Sequence, residues 1–164
     1  MDEKKILDVT CAGKSIWFNK HHPSVIYCDQ RSGEFNYNAG KRYGGIRALH
    51  IEPDVVCDFT DLPFEDNRFA LVVFDPPHLA RLTESSWVRV KYGCLDENWQ
   101  NVIRKGFEEC MRVLKPEGSL IFKWSETQFS TREVIDAIGR EPLFGHRSGK
   151  KMGTHWLTFM KGIE

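Results

Sequence analysis

Short apolar runs recur along the chain, and most of them stop at an acidic residue. Lys5-Ile6-Leu7-Asp8-Val9 is the first, and it runs into a small polar turn, Thr10-Cys11-Ala12-Gly13. Ser24-Val25-Ile26-Tyr27-Cys28 ends on Asp29, Asp54-Val55-Val56-Cys57 on Asp58, and Phe69-Ala70-Leu71-Val72-Val73-Phe74 on Asp75. Runs of this length and composition predict strands buried on both faces. A helix is predicted to begin at Ser15-Ile16-Trp17-Phe18 and to stop before His22-Pro23. The spacing of Ile103, Phe107, Cys110, Met111 and Leu114 predicts a longer amphipathic helix over 98–114. Lys115-Pro116-Glu117-Gly118 would end it, and Ser119 to Trp124 would form the next strand. Ser130-Thr131-Arg132-Glu133 has capping-box form, with Val134, Ile135 and Ile138 facing inward and Gly139 as the stop. Residues 142–161 predict two strands around a Gly- and Lys-rich hairpin. The sum is an α/β fold on a mainly parallel sheet, with an antiparallel edge strand at the end. Two segments, 30–52 and 79–97, are too long and polar for compact crossovers, so they are expected to be functional loops.

The 164 residues suit one domain, 1–164, and 41% apolar residues are enough for a core. No apolar run reaches the roughly 18–20 residues of a membrane span, and Met1 to Lys5 leads into an apolar segment too short for a signal peptide. Five cysteines (Cys11, Cys28, Cys57, Cys94, Cys110) are widely spaced with no CxxC pair, which suits a reducing cytoplasm and no bound metal. The charge balances at 23 basic and 23 acidic residues, so any polyanion must be held by a local patch.

Four predicted strands thus end in a carboxylate, and in an open parallel sheet ligands bind beyond the carboxyl ends of the strands. Ile6-Leu7-Asp8-Val9-Thr10-Cys11-Ala12-Gly13 resembles the first motif of class I S-adenosylmethionine-dependent methyltransferases, and Val25-Ile26-Tyr27-Cys28-Asp29 resembles their second. Cys57-Asp58-Phe59-Thr60-Asp61-Leu62-Pro63-Phe64 and Met111-Arg112-Val113-Leu114-Lys115-Pro116-Glu117-Gly118-Ser119-Leu120 look like later segments of the same family, in the family's order. The resemblance spans roughly residues 5 to 161. It implies a Rossmann-like fold with a seven-stranded, mainly parallel sheet, a C-terminal antiparallel edge strand and helices on both faces.

The resemblance also implies S-adenosyl-L-methionine as cofactor, held by Asp8, Thr10, Cys11, Ala12, Gly13, Asp29, Asp58, Phe59 and Asp75. Gly13 would let the backbone pass close to the cofactor's amino-acid moiety. Asp29 would grip two ribose hydroxyls, Asp58 would take the adenine amino group, and Phe59 would supply a backbone N–H and an apolar wall. The family's first motif often has two or three glycines, whereas only Gly13 stands here, and no GxGxxG of a hydride-transferring enzyme is present.

Asp75-Pro76-Pro77-His78 resembles the Asp-Pro-Pro-aromatic signature of methyltransferases that modify a planar amino or amide nitrogen. Such a nitrogen is a poor nucleophile because its lone pair is delocalised. Accepting its two protons, at the Asp75 carboxylate and the Pro76 carbonyl, would aim the lone pair at the methyl group. Pro77 helps to fix that carbonyl. His78 stands where the family has Tyr, Phe or Trp to stack on an extruded base.

The acceptor expected from this resemblance is adenine N6, or cytosine N4, in DNA. The alternatives are RNA, a protein amide or a small molecule, or a non-catalytic subunit with the same fold. Residues 30–50 mix Arg31, Lys41, Arg42 and Arg47 with Phe35, Tyr37 and Tyr43, and the final hairpin carries Arg140, Arg147, Lys150 and Lys151. Basic residues among aromatics suit a phosphate-tracking surface. Arg42, Tyr43, Lys150 and Lys151 are therefore candidates for nucleic-acid contact, and Trp87, Lys91 and Tyr92 for a lid. The core consumes the chain, so no separate target-recognition domain is expected, nor the family's N-terminal helical segment. Specificity would come from loops or from a partner subunit.

Overall fold

A computed structural model describes residues 4–83, 86–147 and 153–163. Seven strands form the main sheet: β1 (Ile6–Asp8), β2 (Val25–Asp29), β5 (Val55–Val56), β6 (Phe69–Phe74), β7 (Leu114–Ser125), β8 (Phe144–Arg147) and β9 (Thr154–Met160). Their order is β5-β2-β1-β6-β7-β9-β8. The first five run parallel, and β9 pairs antiparallel with both β7 and β8. The predicted final pair of strands is thus in place at the sheet edge, although the turn between them, with Lys150 and Lys151, lies outside the described residues.

One face of the sheet carries the core. Leu7, Ile26, Cys28, Val72, Phe74, Leu120, Phe122 and Trp124 alternate onto that face, where α2 (Trp99–Val113) and α3 (Thr131–Ile138) cover them. Trp99, Ile103, Phe107, Cys110 and Met111 fall on one face and supply the buried stripe of α2, while Leu114, predicted to be its last member, begins β7. The helix comes close enough that Gly106 is required. A Cβ there would stand 2.5 Å from Phe59 Cδ2 and 2.8 Å from Phe74 Cζ. Arg112 then ties the 61–66 segment to α2, donating to the Leu62 and Phe64 carbonyls and to Glu109 and Asp66. α3 starts with the predicted capping box, Ser130 and Glu133 each bonding the other's backbone N–H, and stops at left-handed Gly139.

Four expectations need correction. The helix at 15–18 is a run of turns, because left-handed Lys14 (φ 54°) breaks its start and Trp17 turns inward to bond Asp8. Helices therefore do not cover both faces among the described residues. On the second face the irregular 10–23 segment lies over Ile6, Val25 and Tyr27, with Trp17 edge-on to Tyr27. Residues 30–52 are no loop but a hairpin of β3 (Gly33–Asn38) and β4 (Ile46–Ile51), paired from Gly33↔Ile51 to Asn38↔Ile46 and closed by a 3₁₀ turn, Lys41–Tyr43. Finally, Lys115 to Gly118 is a bulge inside β7, where the pairing with β6 jumps from Phe69↔Leu114 to Leu71↔Ser119. A short helix, α1 (Trp87–Tyr92), lies in the 79–97 segment against β3. No described helix is long and apolar enough to cross a membrane.

Candidate active site

The chain runs outward from β1 through β2 to β5 and then returns to β6 on the other side of β1. Such a reversal leaves a crevice at the carboxyl ends of the central strands. A cavity of about 250 Å³ opens there, and Asp8, Asp29 and Asp75 all line it. The hairpin contributes Leu49 to its wall and α1 contributes Lys91 and Tyr92.

Asp8, at the end of β1, is 1% exposed. Its carboxyl accepts from Trp17 Nε1 at 2.6 Å and from the Thr10 N–H at 3.2 Å, and no cation pairs with it among the described residues. Burial pushes its pKa up to about 7, against the pull of those two bonds and helped by repulsion from Asp75 and Asp29. Asp29 is also buried, and both of its oxygens accept hydrogen bonds, with room left on Oδ2 for a further donor. Oδ2 accepts the Ala12 N–H, and Oδ1 accepts the N–H and Nε–H of Arg31. That first bond anchors the turn after β1, where Ala12 (φ 42°) and Lys14 (φ 54°) are both left-handed. Gly13 between them faces Leu49 of β4, whose Cδ1 would lie 2.9 Å from an added Cβ. Cys11 lines the same turn, and burial pushes its thiol up, so it carries no thiolate.

Asp75 follows β6. Its N–H donates to Thr10 Oγ1 at 3.0 Å, and its Oδ2 accepts from Lys123 Nζ at 2.6 Å. Burial raises its pKa, opposed by the Lys123 charge. Pro76 and Pro77 are buried behind it, with Pro77 against Gly93 at the end of α1. The His78 ring sits 6.1 Å from Tyr92 and 6.3 Å from Trp124. Burial, reinforced by the Lys123 charge, lowers its pKa to about 4. His78 is therefore neutral at pH 7 and offers a ring face or a lone pair, not a mobile proton.

Thr10, Cys11, Ala12, Gly13, Phe59, Pro76, Pro77, His78, Lys91 and Tyr92 join the three carboxylates around the cavity. Asp58 does not. It is exposed, and its Oδ1 accepts the N–H and Oγ1–H of Thr60, both at 2.8 Å. Trp87 stacks on Tyr37 of the hairpin at 6.1 Å, outside the cavity, and Arg42 is exposed on the hairpin's turn. The side chain of Tyr43 and residues Lys150 and Lys151 lie outside the described residues. Lys123 and Arg31 also line the cavity, although neither is among the site residues the sequence predicts. Their signals were a lysine set between the buried aromatics Phe122 and Trp124, and an arginine two residues beyond a strand-ending aspartate.

No protein-family model and no curated protein sequence matches the chain. Solved structures do match. An S-adenosylmethionine-dependent methyltransferase from Methanosarcina mazei aligns with a TM-score of 0.57 at 13% identity, over 100% of this chain and 95% of its own. The N-methyltransferase NodS of Bradyrhizobium japonicum, in complex with S-adenosyl-L-homocysteine, gives 0.55 at 14% identity, over 98% and 79%. The [4+2]-cyclase SpnF gives 0.58 at 12% identity, over 99% and 76%. The chain therefore has the Rossmann-like fold of class I methyltransferases, with its antiparallel edge. A cyclase on the same fold shows that the chemistry must be argued from the site.

Proposed function

We propose that the protein is an S-adenosylmethionine-dependent methyltransferase that acts on a planar amino nitrogen. The observation that carries this reading is the convergence of Asp8, Asp29 and the Asp75-Pro76-Pro77-His78 turn on one cavity at the switch point of the sheet. The residues fit the cofactor. Asp8 is a buried carboxyl without a counter-ion among the described residues, suited to a cationic ammonium or sulfonium. Asp29 offers acceptor oxygens for ribose hydroxyls, the turn at Thr10 to Gly13 offers a backbone surface, and Phe59 offers an apolar wall. The bound cofactor would supply an electrophilic methyl group on a sulfonium. Asp75 and the Pro76 carbonyl would accept the two N–H bonds of the acceptor, raising the availability of its lone pair. Pro76 and Pro77, with fixed φ and no N–H, keep competing donors away from that carbonyl. His78, neutral and flanked by Tyr92, would line the acceptor's ring.

The acceptor we place first is an adenine or cytosine base taken out of DNA, because the motif at Asp75 resembles that of enzymes working on such bases. The size of the cavity and its cover of hairpin and α1 favour a second reading, a free small molecule carrying the same group. NodS and a didemethyltoxoflavin N1-methyltransferase, which share the fold, are N-methyltransferases by name.

The test is transfer of labelled methyl from S-adenosylmethionine to unmethylated DNA, RNA, cell protein and a metabolite extract, with Asp75→Ala as blank. Label in DNA as N6-methyladenine or N4-methylcytosine supports the first acceptor, and label in a metabolite the second. Cofactor binding without label in any fraction would overturn the catalytic reading.

A further inference from the structure

The register of the sheet places a second functional group beside Asp75. Phe74 of β6 pairs with Phe122 of β7. The next residue of each strand's path, Asp75 and Lys123, therefore meet side by side, with Nζ 2.6 Å from Oδ2. Both line the cavity and both side chains are 23% exposed. An ion pair drawn this far from water regains its desolvation cost only if its remaining donors and acceptors are satisfied. An ammonium has three N–H donors. Lys123 spends one on Asp75, and the ring of Trp156 lies 5.8 Å from Nζ. Asp75 keeps Oδ1, which no described group occupies among its hydrogen bonds. The pair thus presents an acceptor and a donor next to each other on one wall.

We propose that Lys123 reads the atom adjacent to the acceptor's amino group. The site would take a planar amino nitrogen whose ring or carbonyl neighbour carries an in-plane lone pair, an amidine-type or amide edge, and reject amino groups flanked by C–H. This rests on the methyltransferase reading above. The amino N–H donates to Asp75 and the neighbouring lone pair accepts from Lys123. When a C–H stands in its place, an ammonium N–H is left unpaired in a site from which water has been displaced, and that penalty drives the rejection. Alkylamines fail twice, having no neighbouring lone pair and a positive charge that Lys123 repels. A carboxylate alone would hold any amino group; Lys123 makes the choice.

The probes are 9-methyladenine and its 1-deaza analogue, identical except that C–H replaces the ring nitrogen beside the amino group. Ligand-observed NMR titrations measure both against the wild type, Lys123→Met and the double variant Asp75→Asn/Lys123→Met, each with and without sinefungin. The double variant leaves no unpaired buried charge should Lys123→Met fail to fold. The wild type is expected to prefer 9-methyladenine by about tenfold or more, the scale of a hydrogen bond to a charged group. Both variants should hold the two probes equally. Equal binding to the wild type, binding of neither probe, or a preference that survives loss of Lys123 overturns the proposal. Sinefungin binding is read separately: its absence counts against the methyltransferase reading, whereas the probe preference is decided on the protein alone.

Discussion

The rim of the sheet and the cap above it are built on different terms. Asp8 and Asp29 are 1% and 5% exposed, sit on strands whose neighbours Leu7 and Cys28 are fully buried, and hold fixed hydrogen bonds. The cap has no such frame. Among the described residues β3 and β4 pair only with each other, and α1 buries none of its residues and has no side-chain bond at its N-cap, Ser86. Few contacts join the cap to the rim. Arg31 donates to the Val90 carbonyl at 2.8 Å, Tyr92 lies beside His78, Leu49 lies on Gly13, and Gly93 lies on Pro77, while Trp87 stacks on Tyr37 to tie α1 to the hairpin within the cap. Few buried contacts and a short helix are the marks of a region that opens below the cost of global unfolding. The rim is built to fix charges, the cap to admit and enclose what those charges act on.

The sharpest way to test the rim is through the charge it keeps at a cost. The Asp8 carboxyl titrates near 7 in the folded protein against an ordinary value of 3.8. As pH rises from below 4, the unfolded chain loses this proton first, so the stability Asp8 contributes is full below about 3.8 and is lost as pH passes through about 7. The loss is on the order of 4 kcal/mol by pH 8. Asp8→Asn, which cannot ionise, should therefore gain on the wild type between about pH 4 and pH 7 in urea denaturation and hold that lead at pH 8. Parallel stability curves for the two proteins would show that Asp8 is not held protonated.

Asp75→Ala should lower methyl transfer by at least about a hundredfold, the scale of removing one preorganised group from a transition state. Its affinity for S-adenosylmethionine should stay within a few-fold, and undiminished turnover would remove Asp75 from the chemistry. Asp29→Ala should weaken cofactor binding by about 1.5–3 kcal/mol, as for a lost hydrogen bond to a charged group. Because Asp29 also holds the Ala12 N–H, the same variant should melt lower. Calorimetry showing unchanged affinity would leave Asp29 a purely structural clasp.

The division between rim and cap also marks what could be read from the sequence. β1, β2, β6, α2 and α3 announce themselves because each buries a regular apolar pattern against the core. The β3–β4 hairpin hid because it buries so little. Of its twelve strand residues only Ile51 is fully enclosed, while Asn36 and Asn38 and the glycines of its turn have the look of a loop. The turn at 15–18 misled for the opposite reason. Ser15-Ile16-Trp17-Phe18 has helical composition, but Trp17 is claimed by Asp8, nine residues away, and Phe18 is left fully exposed. Asp75 was legible as a motif and Lys123 was not, since the bond between them depends on strand register across 48 residues. Asp58 stood in the right place in the sequence but spends its carboxylate on its own turn, an Asx arrangement that strand-end position alone does not distinguish from a ligand.

The smallest expected effect bears most directly on the cap. Trp87→Ala removes the ring that stacks on Tyr37, a contact worth about 0.5–1.5 kcal/mol. Trp87 is 39% exposed and α1 packs nothing into the core, so the melting temperature should fall by no more than about 6 °C. Hydrogen exchange should respond far more than melting. The Val90 and Gly93 amides bond to Ser86 and Arg89 within α1 and its cap, and their exchange should accelerate while that of α2 amides such as Ile103 and Phe107 stays unchanged. Arg31→Ala in the same background should accelerate it again, because Arg31 is the link from Asp29 to the last turn of α1. Acceleration shared equally by α1 and α2 would mean that cap and core unfold as one unit, and the contrast between rim and cap would fail. Confined acceleration would locate the moving part of the site in α1 and the hairpin, and Arg31, which bonds both Asp29 and Val90, would be the residue through which a ligand at the rim is felt by the cap.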